Sequence, residues 1–227
     1  MIDIHTHLLP FVDDGVNDYN EAIEILIDLQ HQGVEHLFVT PHYYRLRNYL
    51  STYQENLVIF NQLKEMVEDK NLSIKLYLAN EIKFSKDIFK EIESGLVHPL
   101  KDQMYLIEFS VKSSAYEISE AVFNMVVKGY TPIIAHVERY LQLSKDDVFE
   151  LKRLGALVQV NASSLLGKHG GKEKRYVKTL INQNLVDFIA SDSHQLNANL
   201  MLDGYRYVEK KFSKDKADQL FNNIKVL

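Results

Sequence analysis

Short apolar runs and longer amphipathic segments alternate along the whole chain. The apolar runs are rich in Ile, Leu, Val and Phe, which is typical of buried β-strands. The segments between them carry apolar residues three and four positions apart, a spacing that predicts helices. The predicted strands cover residues 1–7, 35–40, 73–79, 104–107, 132–135, 156–160 and 186–190. Strict alternation of this kind predicts parallel strands joined by helical connections.

Start signals support the predicted helices. Asp18 with Glu21, and Ser144 with Asp147, have the spacing of an N-cap residue and its partner three positions later. The stretch from 161 to 174 is rich in Ser, Gly and Lys, and this composition predicts a loop.

Residues that can bind metals follow six of these predicted strands. In a closed barrel of parallel strands, the carboxyl ends converge on one face, whereas an open sheet spreads them along an edge. We therefore predict one α/β domain over residues 1–227, folded as a distorted TIM-type barrel with seven strand–helix units. An open, doubly wound sheet is the alternative.

Composition narrows the class of protein. The chain has 227 residues, 46% of them hydrophobic, which is enough for one large core. The net charge of -5 argues against a general nucleic-acid-binding protein. The sequence has neither a run of about 18 apolar residues nor a signal-peptide pattern, so we expect no membrane insertion and a cytoplasmic location. It contains no cysteine, which excludes thiolate metal ligands and a cysteine nucleophile.

The first strand shows the candidate chemistry most directly, because its period of two places Asp3, His5 and His7 on one face. The ends of the strands and the first loop together supply nine candidate metal ligands: His5, His7, Asp14, His42, Glu81, Glu108, His136, Asp192 and His194. Taken alone, Asp14 could form a turn and His136 could be a core histidine. Asp3 is predicted to orient a histidine instead of binding metal.

Five imidazoles and four carboxylates suit two or three divalent ions that share carboxylates, with Mn, Fe or Zn as candidates. Three such ions and four carboxylates leave a formal charge of about +2, which would attract a phosphate dianion. A metal can lower the pKa of its bound water from about 16 to about 7, and the resulting hydroxide is a nucleophile at neutral pH. The set therefore predicts metal-assisted hydrolysis of a phosphoester.

Three further features concern the substrate. Arg139 follows His136 by three positions, and a guanidinium is suited to bidentate phosphate binding, against the alternative of an ion pair at a helix start. A group of tyrosines could form a packed loop or a rim that contacts substrate: Tyr43, Tyr44, Tyr49 and Tyr53. The basic stretch 168–175 is predicted as a solvated loop, with a mobile rim near an anionic substrate as the alternative.

These motifs resemble the PHP (polymerase and histidinol phosphatase) superfamily, and within it the bacterial manganese-dependent protein-tyrosine phosphatases of capsule and exopolysaccharide synthesis. The matching stretches are MIDIHTHLLPFVDDG (1–15), TPH (40–42), NEI (80–82), IEF (107–109), IAHVER (134–139) and ASDSH (190–194). The resemblance implies a PHP-type barrel and three metal ions, most commonly Mn, held by the nine residues named above. It also implies that Arg139 contacts the phosphate, and that the substrate is a phosphotyrosine protein, typically a tyrosine autokinase.

The chain departs from the family pattern at three places. His136-Val-Glu-Arg139 stands where H-P-E-R is frequent, and Ala79-Asn-Glu-Ile82 stands where G-Q-E-I is frequent. Many members carry an arginine five residues after the last metal histidine, and here that position is Asn199. Loss of one charge-assisted phosphate contact costs about 1.5–3 kcal/mol. Arg206, farther along the chain, is a candidate to replace that contact.

The leading prediction is a metal-dependent protein-tyrosine phosphatase. One alternative is a PHP phosphatase that acts on a small phosphomonoester such as histidinol phosphate. Another is a non-catalytic, metal-binding regulatory protein, which the loss of arginine at position 199 would favour.

Overall fold

The computed structural model describes residues 1–196 and 199–227. The strands are β1 Ile2–Asp3, β2 His36–Val39, β3 His42–Tyr43, β4 Lys75–Leu78, β5 Glu81–Lys83, β6 Met104–Glu108, β7 Thr131–Ile134, β8 Leu157–Asn161 and β9 Phe188–Ala190. The α-helices are α1 Tyr19–His31, α2 Tyr53–Asp69, α3 Ile88–Glu93, α4 Ala115–Val127, α5 Lys145–Leu154, α6 Ala162–Leu166, α7 Gly171–Asn182, α8 Met201–Lys211 and α9 Lys214–Phe221. Within the described ranges, no helix is both long enough and apolar enough to cross a membrane.

All paired strands run parallel, in the orders β1-β2-β4 and β3-β5-β6-β7-β8-β9. The two orders belong to one curled sheet, because two extended segments each contribute a strand to both. One segment contains β2 and β3 and breaks at Pro41, and the other contains β4 and β5 and breaks at Asn80. Across the breaks, Ala79 N donates to Val39 O at 3.0 Å and Glu81 N to Pro41 O at 3.2 Å. The nine strands therefore form seven extended segments, as predicted.

The first and last segments meet at a seam. His7 N donates to Ser193 O at 2.8 Å, and Asp192 N donates to His5 O at 3.0 Å. The buried Asp3 carboxylate also accepts a hydrogen bond from Ser191 N at 3.1 Å. These bonds close the curled sheet, so the predicted distorted barrel is confirmed and the open sheet is excluded.

Apolar side chains form two clusters on opposite faces of the strands. On β2, Leu37 and Val39 join a large cluster that includes residues of the helices, whereas Phe38 joins a smaller one. On β7, Ile134 joins the large cluster and Ile133 the smaller. Because neighbouring strand residues point to opposite faces, the smaller cluster fills the barrel interior and the larger one packs the helices onto the barrel.

Both predicted N-cap residues begin a helix, but of the two only Ser144 has the predicted partner three positions later. The Asp18 side chain accepts hydrogen bonds from Asn20 N and Glu21 N. The Glu21 carboxylate bonds to the backbone and side-chain nitrogens of Asn17, so it does not complete a capping box. At α5, Ser144 and Asp147 do form the reciprocal capping box.

The prediction of a continuous loop from 161 to 174 was wrong. The helix α6 lies inside this stretch, and α7 already begins at Gly171. Glycines separate the two helices: Gly167 ends α6 with φ 89°, and Gly170 precedes α7 with φ 135°. Both conformations favour glycine, so the residues that suggested a loop act as helix boundaries.

Replacing Asp3 with asparagine tests the seam. Burial raises the pKa of the Asp3 carboxyl to about 6, above the value of about 4 in an unfolded chain. As the pH rises, the Asp3 carboxyl therefore loses its proton in the unfolded state before it does so in the folded state. The free energy of unfolding falls as the pH rises between these two pKa values. Asparagine keeps an oxygen acceptor and carries no charge. With chelator present, we expect the free energy of unfolding of Asp3→Asn, measured by urea denaturation, to equal or exceed that of the wild type at pH 7.5. Any advantage of the variant should shrink near pH 4.

Asp3→Ala is the matched comparison. It removes the acceptor and leaves the Ser191 N–H unpaired inside the seam, which costs about 1–3 kcal/mol. If the asparagine variant loses as much stability as the alanine variant at pH 7.5, the carboxylate charge, and not the acceptor, stabilises the seam.

Candidate metal centre

Four predicted ligands converge at the carboxyl ends of the first, third and last segments. His5 Nε2 lies 3.1 Å from His7 Nε2 and 3.2 Å from Glu81 Oε2. The Asp192 Oδ1 atom lies 3.4 Å from His5 Nε2 and 3.5 Å from His7 Nε2. All four side chains are buried. Such spacing between ligand atoms is compatible with one ion bound between them.

Two further groups adjoin this one. His42 and His194 turn their Nε2 atoms towards Asp14 Oδ1, at 3.4 and 3.7 Å. On the other side, His136 Nε2 lies 2.9 Å from Glu81 Oε1 and 4.0 Å from Glu108 Oε1. The structure thus brings all nine predicted ligands together at one end of the barrel.

Glu81 is common to these groups. Its Oε2 atom faces His5, His7 and His42, while its Oε1 atom faces His136. The strand break at Asn80 makes this possible, because β5 then begins at Glu81 and pairs it directly with His42 of β3. A carboxylate whose two oxygens face different groups of ligands is suited to bridging ions.

Unpaired buried atoms test whether these residues fit a metal. His42 Nδ1 and Glu81 Oε2 are 2.9 Å apart, yet the contact lacks hydrogen-bond geometry and both atoms remain without a hydrogen-bond partner among the described residues. His136 Nδ1 is also unpaired. Buried polar atoms are rarely left unpaired. An ion would accept lone pairs from the nitrogen and oxygen atoms that face each other. Three overlapping groups of His and carboxylate atoms each have the spacing to hold an ion.

Two of the predicted ligands have unusual backbone conformations. His136 has φ 33° and Asp192 has φ 55°, both in the left-handed region. Non-glycine residues adopt this region at a cost and tend to do so at functional sites. The conformation of His136 is held by its backbone N–H, which donates to Gln159 Oε1 at 2.7 Å.

The charges of the centre stabilise one another. Burial disfavours the Glu81 carboxylate, but His5 and His42 hold its pKa well below the usual range. Burial likewise opposes ionisation of Asp192, and His5, His7 and Arg139 overcome it, so this pKa is also low. Both carboxylates are therefore ionised and available to a cation at neutral pH.

Asp13 supports the centre, although it was not identified from the sequence. Its Oδ2 atom lies 2.8 Å from His7 Nδ1 and accepts a hydrogen bond from His42 N at 2.8 Å. Burial lowers the pKa of the His7 imidazole, but Asp13, together with Asp192 and Glu81, raises that pKa well above its usual value. Asp13 thus fixes the ring of one ligand and the backbone of another. Its position directly before Asp14 was the available signal.

The strand β8 also contributes, although no site residue was predicted on it. The Gln159 oxygen lies 3.3 Å from His5 Nδ1, and the Gln159 amide nitrogen donates to Asn161 Oδ1. Asn161 Nδ2 donates in turn to Asp192 Oδ2 at 2.7 Å. These amides orient candidate ligands from behind. The run LVQVN carried no ligand-type residue, so the sequence offered no signal for them.

Three basic side chains line the cavity above the ligands, which has a volume of about 460 Å³. Arg139 contacts Asp192 at 2.6 Å, as expected of a residue near the site. Two were not predicted: Arg47 contacts Asp14 at 2.9 Å, and Lys83 contacts Glu108 at 3.2 Å. A cation therefore stands beside each of three candidate ligands at the cavity wall.

Three further predicted residues, Asn199, Arg206 and Asp3, do not line this cavity. Asn199 is buried and its amide donates to Asp28 of α1 at 2.8 Å, while Arg206 is exposed on α8. Neither lines the cavity just described, so substrate contacts by these two residues stay predictions. Asp3 bonds to backbone N–H groups and not to a histidine ring.

The tyrosines divide into two pairs. Tyr44 lines the cavity and Tyr49 stacks on the His42 ring at 6.0 Å between centroids. Tyr43 is buried in the core and Tyr53 stacks on His98. Half of the group therefore lies at the mouth of the barrel.

Comparison with known proteins shows the family of this chain. The family described as "Capsular polysaccharide synthesis, CpsB/CapC" matches residues 1–227. The chain belongs to the CpsB/CapC family. CapC of Staphylococcus aureus is 37% identical over 199 residues, covering 86% of this chain and 78% of CapC. Tyrosine-protein phosphatase CpsB of Streptococcus agalactiae is 30% identical over 233 residues, covering 97% of this chain and 95% of CpsB.

Solved structures agree with this membership. A structure from work on YwqE of Bacillus subtilis and CpsB of Streptococcus pneumoniae, described as metal-dependent tyrosine phosphatases, has a TM-score of 0.88 and 27% identity. That match covers 96% of this CpsB/CapC-family chain and 90% of the other. Histidinol phosphate phosphatase from Lactococcus lactis has a TM-score of 0.60 at 16% identity, with 92% of both chains covered, and shares the fold alone.

Removing the Asp13 carboxylate tests its supporting role. Asp13→Ala leaves the His7 ring and the His42 N–H without their acceptor, and losses of this kind lower metal affinity by about 10- to 100-fold. We expect this drop in the association constant for Mn²⁺ by isothermal titration calorimetry. Asp69→Ala, at an exposed position of α2, is the matched control and should bind Mn²⁺ as the wild type does. Equal affinity in both variants would contradict the role given to Asp13.

Gly15 offers a second test, because a Cβ atom there would lie 2.1 Å from His7 O and 2.7 Å from His7 Cβ. Gly15→Ala must therefore displace either the turn that carries Asp14 or the strand that carries His7, and we expect weaker Mn²⁺ binding and a lower free energy of unfolding. Gly95→Ala is the control, since φ is 66° but no atom lies within 4 Å. It should lose stability without losing Mn²⁺ affinity.

Proposed function

We propose that this protein is a metal-dependent protein-tyrosine phosphatase, which hydrolyses phosphotyrosine in protein substrates. The observation that carries the proposal is the set of overlapping His and carboxylate groups around Glu81, at the floor of an open cavity lined by basic side chains. The similarity of this chain to the tyrosine-protein phosphatases CpsB and YwqE supports it. The chain has no cysteine, so the phosphatase chemistry of a cysteine nucleophile is excluded.

We propose three divalent ions, most commonly Mn²⁺, with Fe or Zn as alternatives. The residues that would hold them are His5, His7, Asp14, His42, Glu81, Glu108, His136, Asp192 and His194. Divalent ions in such a site supply a water of lowered pKa, about 7 instead of about 16, and neutralise phosphoryl charge. The arrangement supports ions at adjoining positions, because Glu81 presents one oxygen to His136 and the other to three further imidazoles.

The chain itself supplies phosphate and ring contacts. Arg139 presents a guanidinium at the cavity wall, where it can donate two parallel hydrogen bonds to phosphoryl oxygens. Lys83 lines the same cavity, and its Nζ atom is held by Glu108 and by the carbonyl oxygen of Phe109 at 2.8 Å. The Tyr44 side chain lines the same cavity and can pack against the phenyl ring of phosphotyrosine.

The physiological substrate is a finer part of the proposal. The family description refers to capsular polysaccharide synthesis, which supports a role in capsule or exopolysaccharide production. We propose a bacterial tyrosine autokinase that regulates this synthesis as the phosphoprotein substrate. The predicted cytoplasmic location stays a prediction.

The decisive experiment measures phosphate release from a tyrosine-phosphorylated peptide and from histidinol phosphate, side by side, with Mn²⁺ or with chelator. We expect chelator-sensitive release, with the peptide preferred. His136→Ala and Asp192→Ala should each abolish metal-dependent turnover while the circular dichroism spectrum stays that of the wild type. His31→Ala, at an exposed position at the end of α1, is the matched control and should retain full activity.

Three outcomes would revise the proposal. Preference for histidinol phosphate would assign the chain to phosphatases of small phosphomonoesters. Release from neither substrate, with Mn²⁺ still bound, would favour a non-catalytic metal-binding protein and give weight to Asn199 in place of arginine. Activity retained by His136→Ala would refute the assignment of the ligands.

A further inference from the structure

A second cavity, of about 390 Å³, adjoins the metal-site cavity. The two share three lining residues, Arg139, Asp192 and His194, and the second extends from them to Lys168 and His169. We infer that this second cavity is a subsite for an anionic side chain that flanks the phosphotyrosine in the substrate. The inference rests on the proposed function and deepens it by naming a class of substrate sequence.

The two outer residues of this subsite are held in place by the boundary between α6 and α7. The Lys168 backbone N–H donates to Ser163 O at 2.9 Å, after Gly167 has turned the chain with φ 89°. His169 Nε2 lies 2.9 Å from the Ser163 hydroxyl. From the start of α7, Lys174 Nζ donates to Leu166 O at 3.1 Å and ties the two helices together. Lys168 and His169 are therefore presented by a braced turn.

The charge distribution selects an anion. Asp192 is the single carboxylate among the residues that line the subsite, and Arg139 and Asn161 already bond to its Oδ2 atom, at 2.6 and 2.7 Å. Lys168 is exposed and makes no ion pair within residues 1–196 and 199–227. By contrast, Arg47 and Lys83 at the metal-site cavity are each paired with a carboxylate. Among the described residues, no acidic side chain is paired with Lys168, so its charge is available to an incoming anion.

A third cavity, of about 190 Å³, also adjoins the metal-site cavity and has a different character. It shares Tyr44, Lys83 and Ser110 with the metal-site cavity, and its further lining includes Leu46 and Phe84. Its outer cation, Arg45, is paired with Glu91 at 2.5 Å. Among the described Lys and Arg residues that line the three cavities, Lys168 is therefore the one without a paired carboxylate, and the mouth is asymmetric. A carboxylate of Asp or Glu, or a second phosphotyrosine, has the required chemistry.

The test uses peptides that differ in one residue beside a central phosphotyrosine. That residue is Gln, Glu or a second phosphotyrosine, placed in turn at each of the three positions on either side. A parallel set replaces the central phosphotyrosine with a non-hydrolysable phosphonate analogue and carries a fluorophore. Turnover gives KM and kcat from the first set, and fluorescence anisotropy gives the dissociation constant from the second.

We expect Glu at one or more positions to lower KM and Kd in the wild type, and phosphotyrosine to lower them further because its charge is greater. Lys168→Gln should remove the Glu advantage, raising KM and Kd about two- to fivefold, the range of an exposed ion pair. KM and Kd for the Gln peptides, and KM for para-nitrophenyl phosphate, should not change. The matched control is Lys172→Gln, which removes the same charge from an exposed position of α7 that does not line the subsite.

Contrary results are distinct from failure of the proposed function. An equal rise in KM for Gln and Glu peptides, or an equal effect of Lys172→Gln, would overturn the subsite in favour of general electrostatic attraction. A Glu advantage that survives Lys168→Gln would overturn it as well. If the wild type released phosphate from no peptide, the phosphatase proposal would fail, whereas the anisotropy data would still decide whether Lys168 selects an anion.

Discussion

One buried carboxylate, that of Glu81, constrains the rest of this structure. An ionised carboxyl group removed from water is costly unless charges or hydrogen bonds surround it. Four imidazoles lie against its two oxygens, and each comes from the end of a strand or from the turn that follows. The sheet adapts to this arrangement by breaking at Pro41 and Asn80, which brings Glu81 into register with His42. The seam between the first and last segments then places His5 against this carboxylate and Asp192 against His5.

The centre is organised in layers of decreasing burial. At the back, Asp13 and the amides of β8 fix the ligands, so the imidazole rings have defined orientations. In the middle lie the His and carboxylate atoms that could hold ions. At the front, Arg47, Lys83 and Arg139 each contact a carboxylate while facing the cavity. A site that collects negative charge inside and positive charge at its rim is suited to cations below and a phosphate ester above.

Specificity would arise outside this centre, from the loops that extend it. One side offers the aromatic surface around Tyr44, and the other offers the braced turn with Lys168. Loops on a rigid barrel can vary without disturbing the residues at the strand ends. The fold is shared with a histidinol phosphate phosphatase at 16% identity, and a shared fold alone does not fix the substrate.

The sequence by itself determined the seven strand segments, the starts of helices such as α1 and α5, and the candidate ligands at the strand ends. Those features follow from local periodicity, capping chemistry and the convergence of parallel strands on one face. Only the tertiary structure decided which residues support them. Gln159 meets His5 across 154 positions of sequence, and Asn199 meets Asp28 across 171. Contacts between such distant positions leave no trace in periodicity or propensity, because they exist only once the barrel has closed.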